Sequence, residues 1–196
     1  MPVFTSDFQN NQFISKSYAG ELSAKDIKAA ESFVTNVADE GIEFLSDQRF
    51  THEQRVKEFK ELLSNNFDMR TIARFSLGRY WRTATDAQKK EYLRLFKENI
   101  LEIYSRRFSD YKDQKVEVRS ARKEGKADVL VSSYVVSPDA PEVKVDWRVR
   151  QKNGQYKIID IIVEGVSQAL THRSDYSSVI QRGGGDVEVL LAHLRK

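Results

Sequence analysis

The sequence predicts an α+β fold: N-terminal helices, a four-stranded antiparallel meander sheet, then C-terminal helices. Three observations carry that reading. Apolar residues recur at three- and four-residue steps from Ile27 to Phe108, the period of a helix face. From Lys115 the pattern changes to alternation and β-branched runs, punctuated by Glu124-Gly125 and Asn153-Gly154. After Ser167, short helical patterns return on either side of Gly183-Gly184-Gly185. Helices, then sheet, then helices gathers the helices against one face of a sheet, and does not alternate them with parallel strands.

In chain order, residues 1–22 read as a polar tail rich in Asn, Gln and Ser, without periodicity, loose or packed by Phe8, Phe13 and Tyr18. Residues 23–196 read as one domain: a helical lobe over 23–111, a sheet lobe over 115–166 and closing helices within 174–195. Ser23 with Asp26 is a capping box, each side chain satisfying a free N–H of the first helical turn. Ile27, Ala30, Val34, Val37, Phe44 and Leu45 give that helix its apolar face. Thr51 with Gln54 opens a second helix, faced by Val56, Phe59, Leu63 and Phe67. A shorter helix from Asp68 to Leu77 is stopped by Gly78. Arg79 to Ala84 is a turn, yet it carries Tyr80 and Trp81. Turns are normally small and polar, so these rings require burial by something else. Thr85 with Gln88 caps a long helix whose stripe is Tyr92, Phe96, Ile100, Ile103, Tyr104 and Phe108.

The strands follow. Val116 and Val118 alternate with charged residues, residues 127–136 are β-branched, and 137–141 read as a loop. Val143, Val145, Trp147 and Val149 alternate up to Asn153-Gly154, the strongest short hairpin signal. Tyr156 to Val163 is apolar on both faces, which suits a covered strand. The closing helices are expected at about Asp175 to Gln181 and, with Asp186 as N-cap, on to Leu194.

Composition bounds the function. The chain has 196 residues, 32 basic against 29 acidic, and a net charge of only +3. That balance argues against an obligate nucleic-acid binder. With no cysteine there is no disulfide, thiolate nucleophile or thiolate metal site. No run approaches the ~20 apolar residues of a membrane-spanning helix. Met1 to Ala19 lacks a basic start and a continuous apolar segment, so it does not read as a signal peptide.

Few residues suggest chemistry. His52, His172 and His193 have no partner at ligand spacing, and no P-loop, dinucleotide or G-x-S-x-G pattern is present, so no catalytic residue, metal or cofactor is expected. Asp160 interrupts four isoleucines in what should be a covered strand. It reads either as a base or as an ion-pair partner of Arg148 or Arg150 on the neighbouring strand. Arg70, Arg74, Arg79 and Arg82 read either as a site for a lipid phosphate or acidic partner, or as a solvated face paired with Asp68 and Asp86. Phe67, Ile72, Phe75, Leu77, Tyr80, Trp81, Phe96, Ile100 and Tyr104 are expected to face Val129, Val131, Trp147, Ile159, Ile161 and Val163. By periodicity this set is a core or the wall of an internal cavity.

The block F-D-x-x-x-I-A-R-F-x-L-G-R-Y-W-R-x-A-T-x-x-Q, Phe67 to Gln88, resembles the MlaC family, the toluene-tolerance or auxiliary proteins of a bacterial phospholipid transport system. Residues 157–167, K-I-I-D-I-I-V-E-G-V-S, and the closing helices around Gly183-Gly184 agree with it, in the same order. The resemblance spans roughly Ala29 to Lys196. It implies an NTF2-like sheet lobe and a helical lobe around a deep apolar cavity, with the set above and Val166 lining it. Arg74, Arg79 and Arg82 would serve the headgroup or partner docking, and Gly78 and Gly165 would be hinges. The implied protein is a monomeric periplasmic carrier with phospholipid as cargo. It would shuttle lipid between an outer-membrane lipoprotein complex and an inner-membrane ABC transporter complex, and so maintain outer-membrane lipid asymmetry. Its signal peptide would have been removed or would lie upstream. A hopanoid or other lipid as cargo, or an NTF2-like enzyme using Asp160, are the alternatives.

Overall fold

All three capping boxes form. Ser23 accepts from the Asp26 N–H, Thr51 from Gln54 and Thr85 from Gln88, and each third-position side chain returns a bond to its cap. They open α1 (Ala24–Ser46), α2 (His52–Asn66) and α4 (Asp86–Ser105). Between the last two lie α3 (Met69–Leu77), capped by Asp68, and a 3₁₀ turn, Gly78–Arg82, where the sequence suggested an irregular turn. The computed structural model describes residues 22–108, 111 and 113–196, so the expected tail before Leu22 lies outside the described residues.

The sheet is antiparallel in the order β1 (Lys115–Glu124), β2 (Asp128–Ser137), β3 (Ala140–Lys152), β4 (Gln155–Val163) and β5 (Val166–Ser167). It therefore has five strands, not four. The extra one is two residues long, too short to show as a pattern. Asn153 and Gly154 both take positive φ, 52° and 76°, the mirror-image turn that suits the strands' twist. The expected loop at 137–141 is a tight turn instead, with Ser137 paired to Ala140. One face of the sheet is apolar: Val129 pairs with Val149, Val131 with Trp147, and Trp147 with Ile161. The other carries Asp128 opposite Arg150 and Ser132 opposite Asp146. Both partnerships are closed by hydrogen bonds, at 2.6 Å from Arg150 Nε and 2.5 Å from Ser132 Oγ.

After β5 the chain enters α5 (Gln168–Arg182) and α6 (Val187–Leu194), the second capped by Asp186. The first begins well before the expected Asp175, because Ser167 caps it and Asp160, on β4, accepts the Ala169 N–H. Gly183 is required between the two helices: a β-carbon there would fall 2.5 Å from the Val189 side chain.

The helical residues do not face the sheet as one set. Two cores form. The helical core joins Ile72, Leu77, Tyr80, Phe96, Ile180 and Leu191 from α3, the 3₁₀ turn, α4, α5 and α6. The sheet core joins Val34, Phe44 and Leu62 of α1 and α2 to Val129, Val131, Val149 and Ile158. The helical layer is tied to β4, where the Asp68 N–H donates to the Ile158 carbonyl at 3.0 Å.

Candidate functional site

The two cores meet at a boundary bridged by aromatic side chains. Phe59 and Phe67 pack against both cores. Phe59 meets the Phe108 ring edge-on at 5.2 Å and the Tyr104 ring at 6.4 Å. Leu101 and Tyr104 approach from the helical side, and Trp147 and Ile161 from the sheet side, all partly buried. At one end of this seam the Tyr104 hydroxyl donates to Gln168 Oε1 at 3.3 Å, joining the end of α4 to the start of α5. Large apolar residues flank that link in the open: Ile103 is 43% exposed, Val166 56% and Leu170 55%. A cluster of exposed aliphatics beside an apolar seam is what an amphiphile's mouth requires.

The helical side of the seam is held by ring packing and hydrogen bonds, with His172 Nε2 buried and unpartnered. Tyr92, Phe96, His172 and Tyr176 form an aromatic group with centroids 5.8–6.3 Å apart. The Tyr92 hydroxyl donates to the Ala73 carbonyl at 2.9 Å, and Asn99 donates to the Tyr176 hydroxyl at 3.1 Å. Burial raises the Tyr176 hydroxyl to about 12 and lowers His172.

The family described as MlaC protein matches residues 35–196. The chain belongs to the MlaC family. It is 23% identical over 110 residues to toluene tolerance protein ttg2D of Pseudomonas putida, covering 56% of this chain and 51% of that protein. It is 23% identical over 116 residues to the intermembrane phospholipid transport system binding protein MlaC of Haemophilus influenzae, covering 56% of this chain and 53% of that one. The chain thus spans about half the length of the curated relatives it matches. A phospholipid-binding protein from Ralstonia solanacearum, solved in complex with a phospholipid, shares the fold: TM-score 0.74 at 22% identity, over 85% of this chain and 94% of that one.

Within this MlaC-family fold, the residues expected to line a cavity are dispersed. Ile72, Leu77, Tyr80, Phe96 and Ile100 are inside the helical core, with Trp81 and Tyr104 partly buried against it. Val129 and Val131 are inside the sheet core, and Trp147 and Ile161 are partly buried against it. Ile159 and Val163 are half-buried on β4. Phe67 alone of the set belongs to both cores. Phe75 turns outward, 41% exposed beneath the Arg173 guanidinium. Val166 is 56% exposed, its carbonyl accepting from the Gln168 amide. Phe59 and Ile103, read from the sequence only as parts of helix faces, and Leu170, which it did not single out, also fall beside the seam.

Asp160 does not pair with either expected arginine. Its carboxylate accepts the Ser167 hydroxyl at 2.5 Å and the Ala169 N–H at 3.1 Å, so it anchors the start of α5. Arg148, its partner in register, turns to Glu124 at 3.1 Å, and Arg150 turns to Asp128. With both oxygens engaged in a structural role, Asp160 is poorly placed as a base. Arg70, Arg74, Arg79 and Arg82 are all exposed, and they do not pair with Asp68 or Asp86: those bind Lys152 and Lys89. Gly78 lies within the helical layer, against Arg173, and not at a junction between the layers.

Proposed function

We propose that the protein is a periplasmic phospholipid carrier. It would hold acyl chains between its two cores and leave the headgroup outside at the Tyr104–Gln168 end. The observation that carries this reading is the seam, bounded by partly buried rings and aliphatics and opening beside exposed Ile103, Val166 and Leu170. Each buried methylene contributes ~0.8 kcal/mol, so such a slot retains acyl chains without any polar motif. The names of the relatives support the cargo: one is the binding protein of a phospholipid transport system, and the structural neighbour was solved with a phospholipid. The helical layer moves against the sheet to admit the chains, with Phe59 and Phe67 displaced from their bridging positions. Lipid passes between an outer-membrane lipoprotein complex and an inner-membrane ABC transporter complex, maintaining outer-membrane lipid asymmetry. No bond is made or broken.

Native mass spectrometry of the 22.7 kDa protein, followed by organic extraction, tests the reading. A stoichiometric adduct of phospholipid mass is expected. Val166→Glu and Leu170→Glu place carboxylates at the mouth and are expected to deplete the adduct severalfold while leaving the melting temperature unchanged, since both positions are exposed. A bare protein under conditions that preserve bound lipid sinks the carrier.

A further inference from the structure

A second site lies at the other end of the helical layer. The 3₁₀ turn and the glycine loop after α5 enclose a cleft of about 480 Å³, lined by Arg79, Tyr80, Arg82, Thr83, Gln181 and Gly185. Arg79 is held in place: its Nη2 donates to the Tyr80 hydroxyl at 2.9 Å, and its guanidinium carbon sits 4.9 Å from the Tyr80 ring centroid. Neither Arg79 nor Arg82 has an acidic partner among the described residues. The acids next in sequence to the lining residues are Asp86, paired with Lys89, and Asp186, whose Oδ1 accepts the Glu188 N–H as the cap of α6. Gln181 and Thr83 add polar side chains to the rim: the Thr83 hydroxyl donates to the Tyr80 carbonyl at 3.2 Å, and one Gln181 amide hydrogen goes to Ser177 Oγ at 3.3 Å, leaving the other as a donor. Two guanidiniums, neither ion-paired and one of them pre-oriented, line a concave space beside the Gln181 amide. That arrangement suits a carboxylate.

Position decides which anion. The seam's mouth is at Gln168 and the cleft at Gln181, thirteen residues along α5, or about 20 Å at the helical rise. A headgroup held at the mouth does not reach the cleft. A flat membrane surface does not fill a concavity either, and the turn's large rings are turned inward: Tyr80 is buried and Trp81 partly buried. We propose that the cleft receives an acidic segment, rich in Asp or Glu, of a partner protein. This assigns Arg79 and Arg82 to docking and not to the cargo. It stands on the cleft's own geometry; only its use in handing over lipid rests on the carrier reading.

The test is an amide-shift titration of the full chain with blocked hexaglutamate, with hexaglutamine as control. Shifts confined to residues 79–83 and 181–185 are expected, weakening with added salt. Arg79→Gln/Arg82→Gln is expected to raise the dissociation constant about tenfold. The single variant Arg82→Gln leaves the Arg79–Tyr80 contact intact and is expected to weaken binding by an intermediate factor, at an unchanged melting temperature. Shifts elsewhere, equal binding of hexaglutamine, or unaltered affinity of the double variant overturn the proposal. So do phosphatidylglycerol vesicles or inorganic phosphate binding through the same arginines where hexaglutamate does not; the first would assign the cleft to a headgroup, the second to free phosphate. A lipid-free protein that still binds hexaglutamate removes the carrier reading and leaves this one standing.

Discussion

The helical core and the sheet core bury apolar surface by different means. The helical core sets an interlocked aromatic group among its aliphatic residues: Tyr92, Phe96, Tyr176 and His172 pack ring against ring, and the hydroxyls of Tyr92 and Tyr176 are hydrogen-bonded. The sheet core is mainly aliphatic, built from valines, isoleucine and leucines with Phe44 and Phe108 buried among them, and with partly buried Trp147 and Ile161 packed around it. Interlocked rings with committed hydroxyls have few alternative packings. Aliphatic contacts are non-directional and re-form after sliding. On the carrier reading proposed above, the seam is the place where the two halves part.

The largest test of this contrast is Phe96→Ala. Phe96 is fully buried, so the cavity left behind is expected to cost about 3–5 kcal/mol in urea unfolding. Lipid bound per folded molecule should hold, because Phe96 lies within the helical core. Phe59→Ala should do the reverse, with a smaller stability loss and a clear loss of bound lipid. If the two variants affect both quantities alike, the cores are not separable.

Asp160→Asn comes next. Asparagine keeps one acceptor but loses the charged cap on α5, at an expected cost of about 1–3 kcal/mol, with lipid affinity retained. An enzymatic Asp160 would instead show itself as lost turnover in an unaltered fold. Tyr92→Phe removes only the bond to the Ala73 carbonyl and should cost about 1 kcal/mol by the same measurement. A negligible effect would mean that the helical core owes its rigidity to ring packing alone.

The smallest expected effect is in pH. His172 packs among Phe96 and Tyr176, with Asp175 and Asp160 as the nearby charges, and burial holds it below the ordinary histidine value of 6.5. In the folded state it is the neutral form that is favoured. As pH falls through about 6.5 the unfolded chain takes up the proton first, so stability declines, by no more than about 1.4 kcal/mol per pH unit. Above that pH the contribution is flat. His172→Gln should abolish the decline; if the slope persists, another group carries it.

What was legible in the sequence is local. The capping boxes were readable because their bonds span three residues, and the Asn153-Gly154 turn because its backbone requires those residue types. The change of period at Lys115 marked the sheet for the same reason. The two-residue β5 and the early start of α5 were not legible: the first has no periodicity, and the second depends on a carboxylate several residues upstream on another element.

The sequence by itself determined the order of elements, their caps and turns, and which residues must leave water. Only the tertiary structure decided which core each of them joined, where Asp160 spent its charge, and that Arg79 and Arg82 line a cleft with Gln181, at the far end of α5 from Gln168. The physical reason is that burial has no direction. An apolar period states that a face is covered but not by what, whereas a hydrogen bond between near neighbours names both its partners.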